Sequence, residues 1–463
     1  MCRYCFRASR IAFAAGVCVF GALTGCVRYR AKPLDPAATL SSIEARSLDD
    51  AALKQFLEAN GVSVAEPKGW DLRALTLVAF YFRPELDEAR AVADVARASQ
   101  HIAAERPNPQ IQPTIGYDFT TAPPWIPGLG LSIPIETAGK RGARIAVSQQ
   151  VYQAAQLRVV STAWQVRVRV RRTLLDFLAA QRNEEILTRQ AAIQDQIAQL
   201  LERELAVGAI SPFELTQAQL AASNAKLATD QARLQRASSG SALADAVGIT
   251  SQAFDRIASS IVAEDMSAVH IPEDAARRQA LVSRSDILAG LADYEAAQAV
   301  LQLEIRRQYP DVVLGPGYLL DQTDHKFNLM PTITLPLLNR NRGEIEQAAA
   351  LREQAAAHFM GVQSFALLEI SQAVATLTSA RQKLATADSL LATARQDERR
   401  TEDRYRFGDV SRQEVLNAQL VAIAAEAARS DVLSQADTAA GGLEDAIQAP
   451  LGFEGVVLKN PRP

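Results

Sequence analysis

Apolar positions along this chain follow two periods, and each period holds over long stretches. Across residues 142–206 nothing breaks a helix, and Ile186, Ile193, Ile197 and Leu200 recur at spacings of 7, 4 and 3, a coiled-coil-like seam. A helical run of about 65 residues is about 100 Å long. Gly208 and Pro212 then turn the chain, and a return helix is predicted as far as Val247. A second long helix is predicted over 344–405, with a turn at Gly408 and a return helix ending near Ile447. Nearer the N-terminus the pattern predicts a helix over 48–59, opened by Ser47 and closed by Gly61. Another starts near Asp71 and stops before Pro84, which suits the first turn of a third that runs to Ala104. Pro107 and Pro109 end it.

The period then drops to two. Ile111, Pro113, Ile115, Tyr117 and Phe119 alternate with Gln112, Thr114, Gly116 and Asp118. Leu129, Leu131, Ile133 and Ile135 alternate with Gly130, Ser132, Pro134 and Glu136, so two strands of about ten residues form a hairpin through Pro123-Pro124-Trp125. A second hairpin is predicted from a strand over 312–320 and another marked by Phe327, Leu329, Ile333, Leu335 and Leu337.

The two hairpins belong to a duplication. Gly208, Ser211, Glu214, Ala218, Gln219 and Leu220 recur as Gly408, Ser411, Glu414, Ala418, Gln419 and Leu420, and Gly116-Tyr117 recurs as Gly317-Tyr318. Solenoid repeats are about 20–50 residues long, so this much longer period marks two copies of one large unit.

Composition and charge narrow the class. Aromatics are 6% of 463 residues, net charge is -3 and the pI is near 6.0, which gives no nucleic-acid surface. Arg3, Arg7 and Arg10 precede an apolar run over 11–23, and Leu23-Thr24-Gly25-Cys26 follows. That is a secretory signal, and its end resembles the lipobox of bacterial lipoproteins, in which Cys26 is lipidated and becomes the mature N-terminus. Val27 rather than Asp follows, which favours outer-membrane sorting. The other cysteines, Cys2, Cys5 and Cys18, fall in the removed segment, so no internal disulfide is expected. The chain thus divides into a signal peptide (1–25), a lipidated tether with a short helix (26–65), a first repeat (66–250), a second repeat (251–450) and a tail (451–463).

Alternating strands of about ten residues suit an outer membrane, and no mature segment has the roughly 18 apolar residues of a membrane helix. Four strands cannot close, and open edges are not tolerated in lipid. Three chains would supply twelve strands and twelve helices. The fold class expected is therefore mainly α with membrane β: long helical hairpins plus two β-hairpins per chain, forming as a homotrimer a 12-stranded barrel and an α-helical tunnel.

These residues resemble the TolC-like outer-membrane efflux channels over nearly all of the mature chain. The resemblance rests on the duplicated Gly-x-x-Ser-x-x-Glu turn, Tyr309-Pro310-Asp311, Arg284-Ser285-Asp286-Ile287, residues 135–141 (Ile-Glu-Thr-Ala-Gly-Lys-Arg) and residues 336–343 (Pro-Leu-Leu-Asn-Arg-Asn-Arg-Gly). The Glu136-to-Arg141 stretch looks most like the heavy-metal efflux branch. The resemblance implies a passive exit duct fed by an inner-membrane pump through a periplasmic adaptor protein. It implies that Val207, Gly208, Ala209, Ile210, Phe407, Gly408, Asp409 and Val410 form adaptor-contacting periplasmic tips. It also implies a constriction at Tyr405, Glu414 and Asn417, where Asn417 departs from a doubly acidic pattern. The second tip lacks the proline of the first and is expected to be the one that moves.

Rival readings are an enzyme, a periplasmic adaptor and a structural coiled-coil lipoprotein. The sequence has no phosphate loop, nucleophile elbow or H-E-x-x-H, and no cofactor is implied. His101, His270, His325 and His358 are scattered, with His325 expected in an outer loop beside Asp321 and Asp324, so no metal site is read from spacing.

Overall fold

The structure is a computed structural model and describes residues 27–62, 69–262 and 272–450. The signal peptide, Cys26 and the tail after 450 lie outside the described residues, as does His270.

Of the described residues, 27–46 form a unit of their own. Its helix α1 (Pro36–Glu44) is capped by Asp35, whose carboxylate accepts from the amide of Ala37 at 2.9 Å.

The rest is one unit. Helix α2 (Ala51–Ala59) starts later than the sequence pattern suggests. Ser47 is spent on a turn, accepting from the Asp49 amide at 3.1 Å, and Asp50 takes the N-cap position instead. Helix α3 (Leu72–Phe82), capped by Asp71, and α4 (Pro84–Ala104) begin and end where predicted. Apart from Arg73 and Thr76, α3 is apolar on every side and is buried, with Leu75, Leu77 and Val78 in one core with Val170, Leu174, Phe177, Leu243 and Val247.

Strands β1 (Gln110–Tyr117) and β2 (Trp125–Ile135) lead into α5 (Lys140–Ala206) and α6 (Pro212–Val247). Two short helices follow, α7 (Ser251–Asp255) and α8 (Glu273–Ser283), then α9 (Ser285–Arg307). The second copy adds β3 (Val312–Asp321), β4 (Asp324–Ile333), α10 (Arg342–Arg406) and α11 (Arg412–Ile447). With 67 and 65 residues, α5 and α10 are each about 100 Å long.

All four strands join one antiparallel sheet in the order β1-β2-β3-β4. Expectations change in both hairpins: β1 ends at Tyr117, leaving Phe119 outside it, and Trp125 opens β2 instead of belonging to the connection. Strand β4 ends at Ile333, leaving Leu335 and Leu337 outside it and exposed. Its hairpin turns through Gln322 and Thr323 alone, so His325 lies on β4, with its Nδ1 2.6 Å from the Tyr318 hydroxyl, and not in a loop.

The helices pack through small residues. Ala218, Ala225 and Ala232 recur every seven residues on the buried side of α6, and the Thr229 hydroxyl donates to the Leu187 carbonyl of α5 at 3.2 Å. Two devices fix how the repeats end. Arg83 donates to the Asp245 carbonyl and Arg284 to the Ala446 carbonyl, each at 2.8 Å, while the same guanidiniums pair with Glu85 and Asp286. Arg284 thereby satisfies a carbonyl that the end of its return helix leaves free, while the Asp245 carbonyl takes Arg83 beside the Gly248 amide. Between the repeats, Glu444 is fully buried and accepts from Arg167 at 2.5 Å and 3.0 Å, with Arg171 at 3.3 Å. Arg171 also donates to Asp445 at 2.5 Å. Gly441 makes room for this: a Cβ there would sit 2.6 Å from the Arg171 Nε.

Candidate functional site: a membrane sheet and two helical tips

Register assigns the two faces of the sheet. One carries Ile111, Ile115, Leu129, Leu131, Leu314 and Leu329, and the other mixes Gln112, Thr114, Ser132, Asn328, Thr332 and five glycines with Ile126, Val313, Leu319 and Met330. Ile111 and Ile115 are 70% and 75% exposed, so the apolar face has no protein over it in the single chain. Its loop end is bordered by two cross-strand aromatic pairs, Tyr117–Trp125 and Tyr318–Phe327, with ring centroids 4.9 Å and 5.2 Å apart. An apolar band edged by aromatics, backed by a face rich in glycine and polar residues, is the pattern of the outer surface of a membrane β-barrel. Among the described residues no helix is long and apolar enough to cross a membrane.

At the opposite end of the sheet a latch joins the two repeats. The Thr137 amide and the Lys140 ammonium donate to one Asp311 oxygen at 2.9 Å and 2.8 Å, and the Thr137 hydroxyl donates to the Pro310 carbonyl at 2.6 Å. Arg306 reaches the Gly139 carbonyl at 2.8 Å. Arg141 and Arg144 satisfy the last carbonyls of α4, Ala104 and Ala103, at 2.7 Å and 3.1 Å. The Glu136-to-Arg141 motif and Tyr309-Pro310-Asp311 are therefore two halves of one joint, which their separate positions in the sequence conceal.

The tips lie at the far ends of the long helices and are built alike. Gly208 and Gly408 have φ of 74° and 82°, a conformation that costs glycine nothing. The next amide reaches back to close the helix: Ala209 donates to the Glu204 carbonyl at 2.9 Å, and Asp409 to the Arg404 carbonyl at 3.0 Å. Each return helix then opens with a capping box, Ser211 with Glu214 and Ser411 with Glu414. Around these turns Val207 and Phe407 are exposed, while Ile210 and Val410 are half-buried. Glycine turns the chain as its position in the sequence predicts, and the Ser-x-x-Glu spacing three residues later is the signal of the cap that follows.

Of the three constriction candidates, Glu414 closes its own cap and Asn417 is exposed on the next turn of α11. Tyr405 lies under the Arg412 guanidinium, 5.8 Å from the ring centroid.

Higher up, Glu426 of α11 ties the repeats together. It accepts from Arg189 of α5 at 2.5 Å and 3.1 Å and has Arg395 of α10 at 3.5 Å. The Arg189 hydrogen bonds hold the Glu426 carboxyl below its ordinary value against partial burial, helped by both positive charges. A carboxylate with a lowered folded value contributes stability above the ordinary carboxylate range and loses it as pH falls through that lowered value. Acidification to pH 5 should leave the α5–α11 contact intact, with loosening only below about pH 4. Hydrogen exchange of α11 would show this, and Glu426→Gln should exchange faster than the unsubstituted chain above about pH 5, the difference shrinking below about pH 4.

The chain matches the outer membrane efflux protein family over residues 81–249 and 276–447. It belongs to that family. As a family member it is similar to the cobalt-zinc-cadmium resistance protein CzcC of Cupriavidus metallidurans, at 28% identity over 228 residues. That alignment covers 49% of this chain and only 53% of the relative's length. In fold it resembles the outer membrane protein VceC of Vibrio cholerae, with a TM-score of 0.66, 22% identity, and 83% of this chain and 97% of that chain covered. It also resembles the Campylobacter jejuni CmeC outer membrane channel, with a TM-score of 0.64, 16% identity and coverage of 91% and 93%. Among the described residues no group of three or more His, Cys, Asp or Glu side chains is placed to hold a metal ion.

Proposed function

We propose that three copies of this chain form the passive outer-membrane duct of a tripartite efflux system, receiving cargo from an inner-membrane pump through a periplasmic adaptor. The observation that carries this reading is one sheet with an exposed apolar face that runs directly into helices about 100 Å long. The open edges support closure by copies: β1 pairs only with β2 and β4 only with β3, while lipid tolerates no free edge. Lipid attachment at Cys26 after signal cleavage would add an anchor in the outer leaflet's periplasmic partner. Val207 to Ile210 and Phe407 to Val410 would meet the adaptor, and three Glu414 side chains near Tyr405 and Asn417 would favour cations at the entrance.

Planar-bilayer recordings test the duct and its entrance together. Discrete conductance steps are expected, with cation preference reduced by Glu414→Ala. Absence of steps would sink the duct, and unchanged selectivity would sink the ring. The similarity to CzcC favours metal cations as cargo. A strain lacking the gene should then be sensitised to cobalt, zinc or cadmium, whereas sensitivity to dyes and antibiotics alone would overturn the metal reading.

A further inference from the structure

The two ends of the sheet carry opposite charge. Around the hairpin turns the charged residues are Asp118, Asp321 and Asp324 against Lys326. At the other end, the four junctions between strands and helices (residues 104–110, 135–141, 306–312 and 333–342) hold seven arginines or lysines against three carboxylates. We propose that this basic rim binds the phosphate of acidic phospholipids in the periplasmic leaflet of the outer membrane. This rests on the reading of the sheet as the membrane-spanning part of a duct.

Hydrogen bonds hold the four junctions side by side. Arg141 donates to the Ala104 carbonyl at 2.7 Å, Arg306 to the Gly139 carbonyl at 2.8 Å, and the Asn341 side-chain amide to the Glu304 carbonyl at 2.8 Å. The ends of α4 and α9 therefore meet the starts of α5 and α10 along one rim. Most carboxylates there are already engaged: Asp311 with Lys140, Glu136 with Arg144, and Glu304 with Arg307. Arg106, Arg340 and Arg342 are different. All three are exposed, and among the described residues their guanidiniums form neither a hydrogen bond nor an ion pair.

These free charges stand where the apolar face of the sheet ends. Ile111 and Ile135 are exposed at the last rungs, and beyond β4 Leu337 is exposed and Leu338 wholly so. An arginine at such a border lays its methylene stem on apolar surface and lifts its charge into the headgroup layer. There the planar guanidinium meets a phosphate through two parallel N–H···O bonds. A zwitterionic lipid offers the same phosphate with a cation of its own, so a headgroup of net negative charge is preferred. The carboxylates around the hairpin turns would repel that headgroup, which confines the preference to one leaflet.

Lipid counting by native mass spectrometry tests the rim. The full-length chain, purified in detergent, is titrated with phosphatidylglycerol or with phosphatidylcholine, and phosphatidylglycerol should bind about ten-fold more tightly. Each free arginine contributes about five-fold, so Arg106→Gln, Arg340→Gln and Arg342→Gln together should weaken phosphatidylglycerol by about 100-fold. Lysine at the same three positions should keep the affinity within a few-fold, and Lys326→Gln at the other end of the sheet should leave it unchanged. Equal affinity for the two lipids, or an equal loss with lysine and with glutamine, overturns the rim. Displacement of the lipid by inorganic phosphate makes this a site for soluble anions and overturns the lipid assignment. Should the glutamine variant fail to assemble, the preference of the unsubstituted chain and its weakening by added salt decide the matter. Conductance steps in a planar bilayer without any lipid preference overturn the rim alone; absence of steps overturns the duct reading, and the rim with it.

Discussion

Replacing Glu444 with alanine is expected to destabilise the folded chain by about 3–5 kcal/mol, because it leaves two guanidiniums buried without their shared counter-ion. Arg167 and Arg171 are each nine-tenths buried or more, and Glu444 has no exposure at all, so water cannot take the place of the lost carboxylate. The exposed pair Arg158–Asp293 gives the comparison, with a 2.7 Å contact between side chains that are 55% and 37% exposed. Such a surface pair contributes at most about 1 kcal/mol, and Asp293→Ala should have little effect. Denaturant unfolding of the detergent-solubilised protein, followed by helical circular dichroism, measures both. Equal effects of the two substitutions would show that burial does not govern the Glu444 contact. The network joins helix α5 of the first repeat to α11 of the second, so its loss should also appear as proteolysis between the repeats before the membrane sheet is affected.

The second large effect is expected at the tips. Phe407 is 83% exposed at the C-cap of α10, and Val207 occupies the equivalent place on α5 at 79%. Neither packs a core, so converting both to aspartate should leave folding, trimer yield and bilayer conductance unchanged. If these side chains seat an adaptor, losing an aromatic anchor costs about 2 kcal/mol or more, about 30-fold in affinity. A strain lacking the gene should therefore recover resistance with the unsubstituted chain and fail to recover it with the doubly substituted one at equal outer-membrane abundance. Full recovery would remove the tips from the docking surface.

Much of the fold is legible in the sequence because local signals agree with the final packing. Asp71, Pro84 and the uninterrupted alanine-rich stretches put α3, α4 and the four long helices close to their observed ends. The errors share a cause. At α2, Ser47 and Asp50 both suit a cap, and only packing of Leu48 and Leu53 decides between them. The Arg83-to-Glu85 motif has its echo in Arg284 to Asp286, a repeat at +201 that could have been noticed beside the other duplicated residues. Glu444 could not: its partners lie 277 and 273 residues away in sequence, and nothing local marks a glutamate in a helix as buried. For the candidate site, the turn glycines and tip residues were visible as motifs, whereas the joint of Thr137 and Lys140 with Asp311 needed the chain to be folded.

The tip turn also bears on how such a protein can change over evolutionary time. The turn is closed mainly by main chain and by the serine and glutamate of its own cap, to which Ile210 adds packing on the Ile197 and Leu201 seam and Arg412 adds its contacts with Tyr405 and Glu402. The two tips already differ freely around that frame, with Pro212 and Phe213 in one and Arg412 and Gln413 in the other. A turn whose closure is mainly local can be transplanted: the segment from Gly408 to Glu414 should accept the side chains of an unrelated tip without loss of folding as long as glycine, serine, glutamate and an apolar residue at the Val410 position are kept. Partner choice can drift at these positions while the scaffold stays fixed.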